Sequence, residues 1–405
     1  MLKEIEELFK LNRTLVGNDF DNALFYIKEL LPEMKILEFK TGAEYGTWKI
    51  PQKWEVKNAW IKYKGEKIID YKKEPLSLLV YSIPIHGIIQ LKELKEHLCF
   101  HSEIRNAIPY NFQYYDKTWA FNISLEQYEK LKEGKYEIFI DTEYSDSTLK
   151  IGEYKIENGD KEILIMSHID HPFQANDDLS GVTVAIDLAK KLKCKHKIKF
   201  LFLPETIGSI VYAYTQDLSK IDFGIMIDMV GNDNTPLMQE SFFEADKINL
   251  AGTMAMSIIS PIHYRKAPFR ALVGADEYVF NDPKIGIPSI LFTRYSYPEY
   301  HTNLDMPNII KEDKLEEMAK IIEKTIEIME NDWIPEREFK APLMRARYKV
   351  QQLTKEENRK YDYFFYLMDG KRSVLELSYA CQLNFEKMND LLKRIQKDGF
   401  IKSIQ

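Results

Sequence analysis

The sequence predicts an α/β protein in which a mostly parallel β-sheet lies between helices, with an inserted β-rich domain and a C-terminal winged-helix domain. Four short apolar runs each end in polar residues: "EILIMSHID", "HKIKFLFLPET", "FGIMIDMVGND" and "PSILFTRY". Helical patterns such as "GVTVAIDLAKKL" lie between them. Because this alternation of strand and helix is typical of a parallel sheet covered by helices, these segments define the largest domain.

The N-terminal part is expected to contain two helices followed by the insertion. The first helix covers about residues 2 to 10, and Asn18 or Asp19 can cap the second. From Lys49 onward, β-forming residues cluster or alternate and are interrupted by Gly and Pro, as in "WEVKNAWIKYKGEKIIDY" and "SLLVYSIPI". This pattern of residues predicts the β-rich domain, which separates two parts of the α/β domain.

The C-terminal part begins with a long helical pattern, "KEDKLEEMAKIIEKTIEIMEND". The charged stretch after it contains Pro335 and Pro342 and is interpreted as a linker. Three helical patterns and the β-like "FIKSI" then follow, as in a winged helix. The last helical pattern mixes acidic and basic side chains, which favours a structural or oligomerisation role over DNA binding. The predicted α/β, β-rich and winged-helix domains have the bounds 1–50 plus 145–332, 51–144, and 346–405.

Composition and charge limit the class of protein. The 405 residues are 45% hydrophobic and 29% charged, which is typical of a folded chain with two or three domains. No stretch approaches the roughly 18 consecutive apolar residues of a membrane span, and the first residues do not resemble a signal peptide. Cys99, Cys194 and Cys381 lack the spacing of disulfides or zinc sites, which indicates a reducing compartment. We therefore expect a cytoplasmic protein, and its net charge of −7 argues against coating of nucleic acid.

Histidine and carboxylate side chains follow the predicted strands at the points where the strands end. His168 and Asp170 follow the first strand, Glu205 the second, Asp228 the third and His301 the fourth. Ligands of open α/β sheets bind outside the carboxyl ends of the strands, so these side chains should meet at one crevice. Imidazole and carboxylate groups suit zinc, and their joint occurrence favours a metal site over separate caps and turns.

The order of these motifs resembles that of a known enzyme family. "SHID", "ANDDLSG", Glu205 after a strand, "IDMVG", "ADEYVFNDPKIGIPSILF" and "EYHTNLD" are similar to successive motifs of the co-catalytic zinc aminopeptidases, metallopeptidase family twenty-eight. That family also includes the glutaminyl cyclases. The similarity, which also includes "NRTLVGNDFDNALFYI", implies a zinc-exopeptidase-like fold. The inserted domain and winged helix resemble a bacterial aminopeptidase-like subgroup with the same three-part layout.

The resemblance implies roles for the matching residues. His168 and Asp228 would bind one metal, and Asp177 would bridge to a second metal bound by His301. Asp170 would accept a hydrogen bond from His168 and fix its tautomer. The expected cofactor is one or two zinc ions, or a similar divalent metal.

Glu205 would be the general base that takes a proton from water. The family has two adjacent glutamates here, the first as base and the second as ligand, whereas this chain has Glu205 followed by Thr206. The distance to Gly208 aligns Glu205 with the base and Thr206 with the ligand. Either the chain uses a single tight metal, or Glu205 is a ligand and another group is the base.

Three further residues have expected roles near the same site. Glu277 occupies a position where the family has His, and it would either supply a carboxylate or bind a substrate ammonium group; the alternative is an exposed acid at a helix start. Tyr300, beside His301, is expected to line the substrate pocket. His171 is expected to support the site or to lie in a loop rather than to bind metal.

The resemblance implies a zinc-dependent aminopeptidase that acts on small peptides or peptide-like compounds. Two alternatives stay open at this point. One is a single-zinc enzyme, similar to a glutaminyl cyclase or acting as an amidase or deacetylase. The other is a peptidase-like binding protein without turnover. The expected partners are a small peptide or amide substrate and further copies of the chain in a homo-oligomer, with no membrane and no nucleic acid.

Overall fold

The chain begins with two helices that cover one face of the central sheet. The structure, a computed structural model, describes residues 1–350 and 354–404. The elements before the insertion are α1 (Leu2–Phe9), α2 (Asn18–Leu30), β1 (Lys35–Lys40), β2 (Glu44–Tyr45) and β3 (Trp48–Lys49). Both helices are amphipathic, and each buries its apolar side, including Ile5 in α1 and Leu24 in α2.

The insertion forms a sheet of its own, with the strand order β5-β4-β9-β6. Its elements are β4 (Lys53–Tyr63), β5 (Glu66–Asp70), β6 (Ile85–Gln90), α3 (Leu91–Leu94), β7 (Leu98–Cys99), β8 (Phe121–Asn122), α4 (Leu125–Glu129) and β9 (Lys135–Ser145), with 3-10 turns at Pro75–Ser77 and Lys95–His97. A separate hydrophobic core contains Trp54, Phe121 and Ile138. The two long strands β4 and β9 connect this core to the larger domain, so the insertion is anchored at both ends.

The central sheet has eight strands in the order β1-β10-β12-β11-β13-β16-β14-β15. The remaining strands of this domain are β10 (Thr148–Ile156), β11 (Glu162–His168), β12 (Lys197–Leu203), β13 (Ile221–Ile227), β14 (Leu237–Gln239), β15 (Arg265–Ala267) and β16 (Ser289–Thr293). The central strands β12, β11, β13 and β16 are parallel. β10 runs antiparallel to both β1 and β12, whereas β14 runs antiparallel to β16 and parallel to β15. The predicted α/β fold with a mostly parallel sheet is confirmed.

Helices cover both faces of this sheet. They are α5 (Leu179–Lys191), α6 (Ile207–Thr215), α7 (Lys247–Ile259), α8 (Glu277–Phe280) and α9 (Glu312–Asn331), with a 3-10 turn at Pro307–Ile309. Successive side chains of a strand point to opposite faces, and in β11 Ile163 and Ile165 join one hydrophobic core while Leu164 and Met166 join another. Because β11 is buried on both sides, its polar residues lie at its two ends: Glu162 at the start, and Ser167 and His168 at the carboxyl end.

The C-terminal part packs on the larger domain. It contains β17 (Ile334–Arg337), a 3-10 turn at Arg345–Tyr348, α10 (Lys355–Leu367), α11 (Val374–Cys381), α12 (Phe385–Lys397) and β18 (Ile401–Ile404). The segment interpreted as a linker is partly a strand, because β17 pairs antiparallel with β18. This strand lies before residue 346, where the predicted domain begins, and Phe364 and Leu392 belong to the same core as the central sheet. The winged-helix identity of this part stays a prediction. Within the described residues, no helix is both long and apolar enough to cross a membrane.

Candidate active site

The loops at the carboxyl ends of the parallel strands carry the predicted site residues. β11 ends at His168, and the loop between β11 and α5 contains Asp170 and Asp177. Asp228 follows β13 directly, and His301 lies in the loop between β16 and α9. The structure therefore brings these side chains to one edge of the sheet, as expected for an open α/β fold.

His168 contacts two of the other predicted ligands. Its Nε2 atom is 3.4 Å from Oδ1 of Asp177 and 3.4 Å from Oδ1 of Asp228. Ligand atoms at about 2.0–2.1 Å from a tetrahedral zinc ion lie roughly 3.3–3.4 Å from one another, so this spacing fits a shared ion. Two buried three-residue sets bring their ligand atoms within 4.8 Å of one another: His168 with His171 and Asp177, and His168 with Asp178 and Asp228.

Asp177 lies between histidines from different loops. Its Oδ1 atom is 2.9 Å from Nδ1 of His171, and its Oδ2 atom is 3.0 Å from Nε2 of His301. Although burial opposes ionisation, the adjacent His171 and His301 hold the pKa of Asp177 well below its usual range. An ionised carboxylate with a histidine at each oxygen has the arrangement of a bridging ligand.

Polar atoms of this cluster are buried without hydrogen-bond partners among the residues that the structure describes. They are Nδ1 of His168, Oδ2 of Asp170, Nδ1 of His171, Oδ2 of Asp177, Oδ2 of Asp178, Oδ1 of Asp228 and Nε2 of His301. Buried polar atoms almost always have partners, so this concentration requires an explanation. Despite burial, the surrounding carboxylates raise the pKa of His168 and His171 well above the usual value. A buried, acidic cluster of imidazole and carboxylate groups fits a divalent metal ion.

Asp170 does not make the hydrogen bond that the sequence predicts. Its Oδ1 atom is 3.6 Å from Nδ1 of His168, which is longer than a hydrogen bond. Asp170 Oδ1 instead accepts a hydrogen bond of 2.7 Å from the backbone N–H of Glu205. The carboxylate thus holds the loop that carries Glu205, a contact for which the sequence offers no local signal.

Glu205 is the most accessible carboxylate of the cluster, with 26% of its side chain exposed. Its Oε2 atom is 3.2 Å from Nε2 of His171. The next residue, Thr206, has a left-handed backbone (φ 62°), and its N–H donates a hydrogen bond of 2.8 Å to Asp276. Asp276 also accepts from the Ser209 hydroxyl at 2.6 Å. Sequence analysis missed Asp276 as the residue that fixes this turn.

Arg13 supports the loop that carries His171. Its guanidinium group is fully buried and donates hydrogen bonds to the carbonyl oxygens of Ile169 (2.7 Å), His171 (2.7 Å) and Gln174 (2.9 Å). Burial lowers the pKa of Arg13 to about 10, so the side chain stays charged at neutral pH. The matching of "NRTLVG" to the family's N-terminal pattern was the signal for this residue, but the sequence did not show which loop it contacts.

Glu277 is buried rather than exposed at its helix start. It is 1% exposed and accepts hydrogen bonds from the backbone N–H of Ala275 (3.0 Å) and from Gln239 (3.5 Å). Burial raises its pKa to about 8. A contact between Glu277 and a substrate ammonium group stays a prediction. Tyr300 stacks on the His301 ring with centroids 3.9 Å apart, which limits the rotation of that imidazole.

A cavity of about 460 Å³ opens beside Glu205. Its lining includes Asp170, Glu205, Thr206 and the aromatic side chains of Trp48, Phe112, Tyr114 and Tyr115. Three of these aromatics, Phe112, Tyr114 and Tyr115, come from the insertion. Tyr110 and Trp119 belong to the insertion's core, whereas Tyr115 is 54% exposed. The insertion therefore supplies both its own core and one wall of the cavity.

The central domain has an aminopeptidase-like fold. BSAP, a zinc aminopeptidase from Bacillus subtilis, has a similar structure, with a TM-score of 0.60, 15% identity and coverage of 80% of this chain and 93% of that one. At that identity the similarity concerns the fold. The sequence-based expectation of a zinc-exopeptidase-like fold agrees with it.

The chain belongs to the family described as "Domain of unknown function (DUF4910)", whose model matches residues 2–332. A Clostridium acetobutylicum protein described as "Putative polysaccharide biosynthesis protein with aminopeptidase-like domain" is 31% identical over 97% of this chain and 94% of its own length. The crystal structure of a "putative peptidase" from Clostridium acetobutylicum has a TM-score of 0.85 and 29% identity, and covers 100% of this chain and 96% of that one. Both similarities extend over nearly the whole of this chain and of the related protein.

Proposed function

We propose that this protein is a zinc-dependent amide hydrolase that removes an N-terminal residue from small peptides or peptide-like compounds. The proposed metal ligands are His168, Asp177, Asp228 and His301, and the proposed general base is Glu205. The observation that carries this proposal is the meeting of unpartnered imidazole and carboxylate atoms beside an accessible glutamate at the mouth of a cavity.

The role of each group in the proposed reaction follows from its surroundings. A bound divalent ion polarises a carbonyl group and lowers the pKa of water, which is the chemistry that amide hydrolysis requires. Glu205 is positioned to accept the proton of the attacking water and to return it to the leaving amine, because it is ionisable, partly exposed and held by Asp170. The aromatic wall of the cavity excludes water and contacts the substrate side chain. Tyr300 keeps the His301 ring in place.

The test combines metal content with a substrate screen. Purified protein is analysed for bound metal by plasma mass spectrometry and is assayed with a panel of aminoacyl amides and acetylated amines. We expect one to two equivalents of zinc and release of the N-terminal residue. His168→Ala and Asp177→Ala should each lose at least one equivalent, while the exposed His263→Ala keeps all of it. Full metal occupancy in both site variants would contradict the ligand assignment.

The same screen distinguishes the alternative functions. Cleavage of acetylated amines alone would indicate a deacetylase, and cyclisation of N-terminal glutamine would indicate a cyclase. Metal binding without turnover on any of these compounds would favour a binding protein. Three free cysteines, Cys99, Cys194 and Cys381, are consistent with the proposed cytoplasmic location.

A further inference from the structure

We infer that His171 is a ligand of a metal ion that it shares with Asp177. This inference rests on the proposed function, because it concerns the same metal site. Sequence analysis placed His171 in a supporting or loop position. The structure confirms that it lies in the loop between β11 and α5, but its side chain points into the cluster and is 3% exposed.

The two ring nitrogens of His171 face different carboxylates. Nδ1 is 2.9 Å from Oδ1 of Asp177, and this nitrogen is buried without a recorded hydrogen-bond partner in the described part of the chain. Nε2 is 3.2 Å from Oε2 of Glu205. Ligating histidines commonly bind metal through one nitrogen and donate the other N–H to a carboxylate. When Nδ1 is the metal-binding atom of His171, Nε2 faces the Glu205 carboxylate in the corresponding way.

The neighbours of His171 complete a ligand set. His168, His171 and Asp177 offer nitrogen and oxygen atoms within 4.8 Å of one another, and all three residues are buried. The ring of His171 lies 4.7 Å from that of His168 and 5.2 Å from that of His301, measured between centroids. The imidazoles therefore surround Asp177, and His171 is the one closest to Glu205.

His171 also replaces a ligand that this chain lacks after β12. Thr206 follows Glu205, so this turn offers a single carboxylate. The backbone N–H of Thr206 donates a hydrogen bond of 2.8 Å to Asp276, which fixes the turn at this residue. A buried imidazole from the neighbouring loop restores a ligand. Its position is fixed by Arg13, whose guanidinium group donates 2.7 Å to the carbonyl oxygen of His171.

A competing explanation is that His171 is only a positive charge between Asp177 and Glu205. Substitutions at this position separate the two roles. His171→Glu can bind metal but carries a negative charge, whereas His171→Lys carries a positive charge but is a poor ligand at neutral pH. His171→Asn removes both and tolerates the left-handed backbone of this residue (φ 70°), at which Ala would be strained.

The experiment measures zinc affinity of the full-length protein by chelator competition, with the exposed His263→Asn as the matched control. We expect His171→Asn and His171→Lys to lower the affinity for at least one zinc ion by more than about 100-fold, beyond the 10- to 100-fold typical of residues that only support a ligand. His171→Glu should stay within about 10-fold of the wild type. Circular dichroism of the metal-free proteins checks that each variant folds.

Each outcome decides the question. A loss smaller than about 100-fold in His171→Asn would reduce His171 to a supporting role and overturn the inference. Tight binding by His171→Lys together with weak binding by His171→Glu would show that charge, and not ligation, is what matters. Wild-type protein without bound zinc would refute the proposed function itself. Wild-type protein that binds zinc and hydrolyses amides, with an unaffected His171→Asn variant, would refute the ligand assignment alone.

Discussion

The backbone N–H of Tyr110 donates a hydrogen bond of 2.7 Å to the carbonyl oxygen of His301. Tyr110 belongs to the insertion, and His301 belongs to the cluster at the strand ends. A second link lies nearby, where Pro109 and Thr302 form an isolated β-bridge. The insertion and the candidate site are therefore one structural unit, and a substitution in the insertion should alter the geometry of the site.

Tyr110→Ala should weaken both stability and metal binding. The ring is 3% exposed and lies 5.2 Å from His171 and 5.3 Å from His301, measured between centroids. Loss of a buried aromatic ring costs roughly 3–5 kcal/mol, and the two imidazoles would lose a packing partner. Urea unfolding and chelator competition for zinc measure the two effects.

The matched control is Tyr115→Ala, in the same segment. Tyr115 is 54% exposed and lines the cavity, so its removal should change the free energy of unfolding by less than about 1 kcal/mol while it raises KM. Equal destabilisation by the two substitutions would show that the buried position of Tyr110 has no special importance.

Arg13→Lys should destabilise the loop between β11 and α5. Lysine keeps the charge but cannot reach three carbonyl oxygens with a planar fork. Loss of two hydrogen bonds from a charged donor in a buried position lowers the free energy of unfolding by roughly 3 kcal/mol or more. Thermal unfolding with and without zinc measures the loss.

Arg105→Lys serves as the control, because Arg105 pairs with Glu129 on the surface with 57% of its side chain exposed. An exposed ion pair contributes about 0–1 kcal/mol, so this change should be nearly silent. A silent Arg13→Lys variant would mean that the loop is held by other contacts.

The fold was predictable where the residues of a single element were enough to identify it. The parallel strands are short, mostly apolar runs, and the polar residues at their ends identified His168 and Asp228 as neighbours. β17 was interpreted as a linker because it contains Pro335 and two charged residues in four positions. Its pairing with β18 at the other end of the chain makes it a strand, and no local pattern reports such a partner.

The site residues at the strand ends were predictable from the sequence, whereas the residues that hold the site loops in place were not. Arg13 is separated from Ile169 by 156 positions, and Asp276 from Thr206 by 70. A polar residue within a loop gives no indication of which distant backbone group it will bind. His171 is different, because it lies three residues after His168 and its chemistry was visible. What the sequence could not show is that its loop folds inward.

Glu277→Gln should remove a pH dependence of stability. Burial raises the pKa of Glu277 from 4.5 to about 8, so the folded state holds a proton that the unfolded state releases above pH 4.5. The contribution of this group to stability is therefore present at low pH and is lost as pH rises from about 4.5 to about 8, by roughly 5 kcal/mol at most.

Urea unfolding across this pH range tests the sign. Glutamine is neutral throughout, so the stability of the wild type relative to Glu277→Gln should fall as the pH rises. A constant difference would show that Glu277 is ionised in the folded protein over the whole range, and a rising difference would require a cation beside it.

Glu205→Gln tests the residue on which the proposed mechanism depends. The substitution preserves the size of the side chain and removes its ability to take a proton. If Glu205 is the general base, the variant should keep its zinc and its fold and lower kcat by roughly 10²-fold or more, since positioned proton transfer contributes about that much. The exposed Glu66→Gln provides the matched control and should have no effect on either quantity.

The surroundings of Glu205 suit a base, because its carboxylate is partly exposed and contacts the cluster through the Nε2 atom of His171 at 3.2 Å. Exposure alone does not separate a base from a ligand, since the proposed ligand His301 is 27% exposed, whereas His168, His171, Asp177 and Asp228 are at most 3% exposed. Zinc stoichiometry and turnover are therefore measured on the same preparation of Glu205→Gln. Zinc lost together with activity would make Glu205 a ligand, and zinc retained with undiminished turnover would remove Glu205 from the mechanism.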